Sequence, residues 1–150
     1  MSVLDLKRIE VDPQRLRSGV WHQIQYEADG SLGGWPCAPD ADVPRLLIVP
    51  FGMAYARAIE DEQRAVLDRL RERKVSDDEK REMSGRVLAR TTFRGCANIV
   101  VDGQPLEWSE AKAVEMMTDL RWAIFRDFVE AMATNKAAAI KREEEQAKGN

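Results

Sequence analysis

Histidine occurs once in the 150 residues, as His22, and cysteine twice, as Cys37 and Cys96. One imidazole excludes multi-histidine metal centres and leaves at most a single histidine base. Two thiols of no diagnostic spacing exclude a disulfide framework and a thiolate metal cage, and suit a reducing compartment. Net charge is also scarce: 23 basic residues against 26 acidic ones leave −3, so a general affinity for phosphate backbones is not predicted and no nucleic-acid partner is expected. Long apolar runs are missing as well. The opening MSVLDLKRIEVD lacks the apolar core of a signal peptide, and no stretch approaches the roughly 18 apolar residues that span a bilayer. The sequence reads as that of a soluble cytoplasmic protein with no membrane partner.

What is present is enough for one core. A chain of this length can bury about two-thirds of the surface that it exposes when unfolded. Residues 1–18 are polar, charged and interrupted by Pro13, which reads as a flexible N-terminal arm. Residues 19–134 read as a single α+β domain, and residues 135–150, AAAIKREEEQAK within them, as a projecting C-terminal helix or tail with only Ile140 to bury.

Within the domain, Val20, His22, Ile24 and Tyr26 alternate with Trp21, Gln23 and Gln25, the period of a strand. Asp29-Gly30 ends it. Residues 31–44 carry Gly33, Gly34, Pro36, Pro39 and Pro44, which predicts a long irregular loop. The apolar run RLLIV from Arg45 then predicts a second strand, pairing with the first as a small two-stranded ribbon.

After Pro50 the spacing becomes helical. Tyr55, Ile59, Val66, Leu67 and Leu70 share one face over 53–73. Ser76 with Glu79 forms a capping box that starts a new helix at Asp77, with Met83, Val87, Leu88 and Thr91 as its buried stripe and Gly95 as its terminator. Asp102-Gly103, between Ile99-Val100-Val101 and Leu106, predicts a tight hairpin. Ser109 caps a short helix with Ala113, Val114, Met116 and Met117 inward. Thr118 or Asp119 caps the most apolar helix, in which Leu120, Ile124, Phe128 and Met132 recur every fourth residue beside Phe125 and Val129.

None of these elements gathers reactive groups. His22 lies on a strand beside Trp21, where a satisfied structural histidine is the better reading. Cys37 and Cys96 sit in no protease or redox motif. Gly30, Gly33 and Gly34 lack the Lys-Ser/Thr pair and following helix of a phosphate loop. Glu60, Asp61 and Glu62 are consecutive, so their carboxylates point around a helix. Asp77 and Asp78 offset a helix dipole. Arg69, Arg71, Arg73 and Lys74 interleave with Asp68 and Glu72 as on a solvated face. The sequence therefore predicts no enzyme, no metal and no cofactor. The features left over are large apolar anchors: Trp35 in its Gly/Pro loop, and Met116, Met117, Trp122 and Phe125 near a helix junction, the candidate partner-binding residues.

The order GCANIVVDGQPLEWSEAKAVEMM, preceded by a charged helix and followed by another, resembles the tail assembly chaperones of long-tailed bacteriophages. The resemblance covers roughly 20–150 and rests on structural punctuation: the family commonly shows a Gly-Trp pair, a few β-formers, Asp-Gly, a polar-aromatic pair and a Ser or Thr that caps a helix. Cys96 stands where the family carries Trp after Gly95. The resemblance implies binding to the tape-measure protein, and allows contact with the tail tube protein, in the cytoplasm of the bacterial host. It also implies possible self-association, on exposed faces of the 53–73 helix, and a longer form made by frameshifting. A structural virion component of the head-tail or tail-tip region is the alternative.

Overall fold

The computed structural model describes residues 2–70 and 75–134. The expected C-terminal helix at 135–150 and the basic side chains within 71–74 lie outside the described residues.

The N-terminal arm carries two short helical turns. Asp5 accepts from the Lys7 amide at 3.0 Å and starts a 3-10 turn over Leu6–Ile9. Asp12 caps α1 (Pro13–Ser18) through the Gln14 amide at 2.9 Å, with Pro13 in the first helical position, where no amide is missed. The 3-10 turn does not hide its apolar residues: Leu6 and Ile9 are each 64% exposed, as are Val3 and Leu4 before it at 88% and 80%, whereas Leu16 of α1 is half-buried.

The expected ribbon is present, as β1 (Val20–Tyr26) paired antiparallel with β3 (Arg45–Ile48), but it is the centre of a four-stranded sheet in the order β2-β1-β3-β4. The loop expected over 31–44 is regular in its first part. There β2 (Leu32–Pro36) pairs with β1 from Tyr26–Leu32 to His22–Pro36. Glycine and proline misled the sequence reading because β2 is an edge strand, where Pro36 gives up an amide without breaking an internal ladder. Asp29 accepts from the Ser31 amide and hydroxyl at 3.0 and 2.6 Å and folds the chain back. The remaining loop wraps around Arg45, which donates to the carbonyls of Pro39 and Ala41 at 2.9 and 2.6 Å.

A second correction concerns Gly95. The helix α3 (Asp77–Thr91) ends four residues earlier, with the Thr92 amide on the Leu88 carbonyl, and the chain enters β4 (Phe93–Ala97) directly. Gly95 lies opposite Leu47 in this strand, where an added Cβ would stand 3.2 Å from the Leu47 Cβ and 3.4 Å from the Trp21 ring. Its role is close approach on the outer face of the sheet.

On the inner face Val20, His22, Leu46, Ile48 and Phe93 are buried. The core unites Leu46, Ile48 and Phe93 with Leu88 and Ala89 of α3, Ala113, Met116 and Met117 of α4 (Glu110–Thr118), and Phe128, Val129 and Ala133 of α5 (Ala123–Thr134). The helix α2 (Met53–Leu70) buries Val66 and packs on α3, to which it is tied by Glu62, whose carboxylate takes Arg86 and Arg90 at 3.0 Å each. Ser76 starts α3 as expected, its hydroxyl accepting from the Glu79 amide at 3.2 Å and donating to the Glu79 carboxylate at 3.1 Å.

The stripe on α5 is rotated from its expected position. Leu120 belongs to a separate 3-10 turn, Leu120–Trp122, and is 65% exposed; Ile124 is 56% exposed. Phe128 and Val129, both expected in the stripe, are buried, and Ala133 and Arg126 join them in place of Leu120 and Ile124. Period alone could not reveal this, because Asp119 caps the 3-10 turn through the Arg121 amide at 2.9 Å and shifts the start of α5 to Ala123.

Candidate partner-binding groove

The hairpin between β4 and α4 provides one wall of the candidate site. Its strands, β5 (Val100–Val101) and β6 (Gln104–Pro105), are two residues each, and Asp102 (φ +52°) and Gly103 (φ +76°) both take the left-handed conformation of a two-residue turn. Beyond the ladder, the Leu106 amide donates to the Ile99 carbonyl at 2.8 Å. Asn98, also left-handed at φ +59°, ties the base of the hairpin to the loop before β3 through the Val43 carbonyl at 3.2 Å. The exit of the hairpin is fastened to β4, where the Trp108 indole donates to the Phe93 carbonyl at 3.1 Å.

Across from the hairpin stand the ends of β1 and β2, with Ile24, Tyr26 and Leu32, and the 3-10 turn and start of α5, with Trp122 and then Ile124 and Phe125. The space between these walls is an open groove of about 720 Å³. Phe125 meets Phe93 edge to face, with centroids 5.5 Å apart, which joins the groove floor to the core. Tyr26, Val100 and Ile124 are 86%, 65% and 56% exposed, so the walls present apolar surface to water. At the rim Arg121 lies 5.7 Å from the centre of the Trp122 ring. Its guanidinium bonds the Asp119 carboxylate at 2.8–2.9 Å and holds that carboxyl below its usual range.

The five residues singled out in the sequence divide among different surroundings. Trp122 and Phe125 are half-buried in the groove wall, and Met116 lies beneath it, nearly fully buried. Met117 is completely buried and faces the core; α3 crosses its carbonyl so closely that a Cβ on Gly85 would stand 2.5 Å away. Trp35 is 41% exposed. Its neighbour Gly34 faces the Phe128 ring, so alternation along β2 places Trp35 on the opposite face of the sheet, away from the groove.

Sequence reasoning missed Ile24, Tyr26, Ile99, Val100, Val101 and Ile124 as groove residues. One signal was available: three consecutive β-branched residues in a strand cannot all face one core, since successive side chains point to opposite sides.

The reactive side chains are in unreactive settings. His22 is 2% exposed, and its Nδ1 donates to the Val20 carbonyl at 3.0 Å while Nε2 has no partner. Burial lowers its pKa, against a smaller opposing effect of the Val20 bond. Burial pushes the Cys96 thiol up, away from the thiolate form that a nucleophile needs. Among the described residues, no three metal-binding side chains converge, and no helix is long and apolar enough to cross a membrane.

A family model described as "YdaY prophage protein" matches residues 51–150, two-thirds of the chain. No curated protein and no solved structure matches.

Proposed function

The chain belongs to the YdaY prophage protein family, and on that premise we propose that it is a tail assembly chaperone, which binds the tape-measure protein and keeps it soluble while tube subunits assemble. The open apolar groove is the observation that carries this reading. A long helical client exposes apolar stripes that aggregate unless covered, and a groove with aromatic and β-branched walls covers such a stripe by taking anchors at i, i+3 or i+4, and i+7. Its rim charges are already paired, Arg121 with Asp119, so the groove selects for apolar surface. The function is non-catalytic: the client is held and released unchanged, in the cytoplasm of the bacterial host. Contact with the tail tube protein belongs to the same reading.

Co-expression with the tape-measure protein of the same phage genome tests it. The expected result is a tape-measure protein that is soluble and co-purifies only with this chain, and that returns to the pellet with Val100→Asp plus Ile124→Asp. A client equally soluble alone, or a complex indifferent to those two substitutions, overturns the groove as its seat. Retention of this chain in mature particles would instead make it a structural component of the virion.

A further inference from the structure

The sheet stops short on one side of the groove. β1 runs on through Ile24, Gln25 and Tyr26, but its neighbour β3 begins only at Arg45, opposite Gln23. The last bond between the two stretches goes from the Ile24 amide to the Pro44 carbonyl at 3.0 Å. Pro44 has no amide to return to Ile24. Before it the chain turns off, and the Val43 carbonyl accepts from the Asn98 side chain at 3.2 Å. The second half of β1 is therefore paired along one edge only.

Alternation along an antiparallel strand identifies the groups left over. The Trp21 carbonyl accepts from the Cys37 amide at 2.8 Å and the Glu27 amide donates to the Ser31 carbonyl at 2.9 Å, so the odd residues of β1 bond toward β2. The even ones bond toward β3, as Ile24 does. Among the described residues, the Ile24 carbonyl and both the amide and the carbonyl of Tyr26 have no backbone partner. The facing wall repeats the pattern. There the Ile99 carbonyl bonds toward β6 through Leu106, so the amide and carbonyl of Val100, the next residue, turn away from β6. Ile24, Tyr26 and Val100 all line the groove.

We propose that the groove binds an extended segment of a partner protein as an added strand, which continues the line of β3 along the free half of β1. Where β3 still lies between them, β1 and β4 are two strand spacings apart, about 10 Å, and one strand fills that width. The segment supplies an amide and a carbonyl to Tyr26 and an amide to Ile24. A helix cannot do so, because its own amides are spent within it. Side chains of the added strand alternate between the two faces. Those on the inner face, with Ile24, meet Trp122 and Phe125 in the groove wall and are apolar, whereas those on the outer face stand beside Gln23 and Gln25 and are polar. The partner is thus recognised as a strand with an apolar residue at every second position, through its backbone as much as its side chains. The outer edge of β2 offers the same backbone groups at Leu32 and Gly34 but is interrupted by Pro36, which guards an edge against pairing. This inference goes beyond the chaperone reading, with which it shares the groove: a helical stripe laid on the walls leaves these backbone groups in water, and an added strand uses them.

Nuclear magnetic resonance on the full chain tests it with no tape-measure client present. The probe is a short peptide that alternates valine with threonine between terminal lysines. It should slow hydrogen exchange at the Tyr26 amide about tenfold or more and leave the Leu32 and Gly34 amides as they were. A counterpart with every amide N-methylated should give no protection. Tyr26→Pro deletes the free amide while taking no bond from the ladder to β2, and should weaken the peptide about three- to tenfold relative to Tyr26→Val, which keeps that amide. No binding at millimolar peptide, equal binding of the N-methylated counterpart, protection of Leu32 and Gly34 in place of Tyr26, or equal affinities of the two Tyr26 variants overturns the proposal. Each of these leaves the chaperone reading standing, since the solubility of a whole client decides that. A client that stays insoluble, in turn, leaves the protection of Tyr26 by the peptide intact.

Discussion

Arg126 is a charged side chain that the core encloses, 7% exposed, and its bonds join three helices. Nη1 donates to the carbonyls of Arg81 in α3 and Met117 in α4 at 2.9 Å each, Nη2 to the Ser84 hydroxyl, and Nε to Glu130 in α5 at 2.7 Å. Met117 is in the last turn of α4, where carbonyls have no partner within the helix, so the guanidinium satisfies a group that would otherwise be buried unpaired. Arg126→Met should cost about 2–3 kcal/mol, measured by urea unfolding, with Lys recovering only part of the loss because it has no planar fork. His22 makes a different demand. Its folded pKa lies below the ordinary 6.5, with burial the largest cause. As pH falls through 6.5 the unfolded chain takes up a proton that the folded chain refuses. Stability is therefore complete above that value and declines toward the folded pKa, by up to about 1.4 kcal/mol per pH unit for one proton. Melting temperatures at pH 7.5 and 5 should show this decline, and His22→Asn, which keeps a donor for the Val20 carbonyl and does not titrate, should reduce it.

Elements that announce themselves through local chemistry were legible in the sequence. Ser76 and Ser109 cap their helices on the Glu79 and Lys112 amides at 3.2 and 3.1 Å, and Asp102-Gly103 makes the turn that its two residue types favour. β2 was not legible, because what makes Leu32–Pro36 a strand is its pairing with β1, which no window containing Gly33-Gly34 and Pro36 discloses. The groove was half legible. Trp122 and Phe125 stood out as a cluster, but the opposite walls come from 24–32 and 98–101, and only the closed sheet brings those stretches to α5. The hairpin is the element whose loss should be most local, with few ladder bonds and both turn residues at positive φ. Gly103→Val should cost about 1–2 kcal/mol at the turn. Hydrogen exchange should register this as faster exchange at the Val101 and Leu106 amides, while those between β1 and β3 keep their protection.

Across the whole molecule, the family match begins at residue 51, after the first three strands. Those strands nevertheless complete the core: Leu46 and Ile48 are fully buried in one cluster with Leu88, Phe93 and Phe128. A fragment of residues 51–150 would leave these partners in water. It is expected to aggregate or to melt without a cooperative transition, whereas the full chain should show a single transition by calorimetry. The same three strands supply Ile24, Tyr26 and Leu32 to the groove, so stability and docking depend on one half of the chain together. Trp122, half-exposed in the groove wall beneath Arg121, adds a spectroscopic consequence. An occupant that covers the indole displaces the water around it and moves its fluorescence emission to shorter wavelength. With Trp21, Trp35 and Trp108 replaced by phenylalanine, the emission maximum of Trp122 becomes an optical gauge of whether the groove is empty or filled, and it needs no added dye.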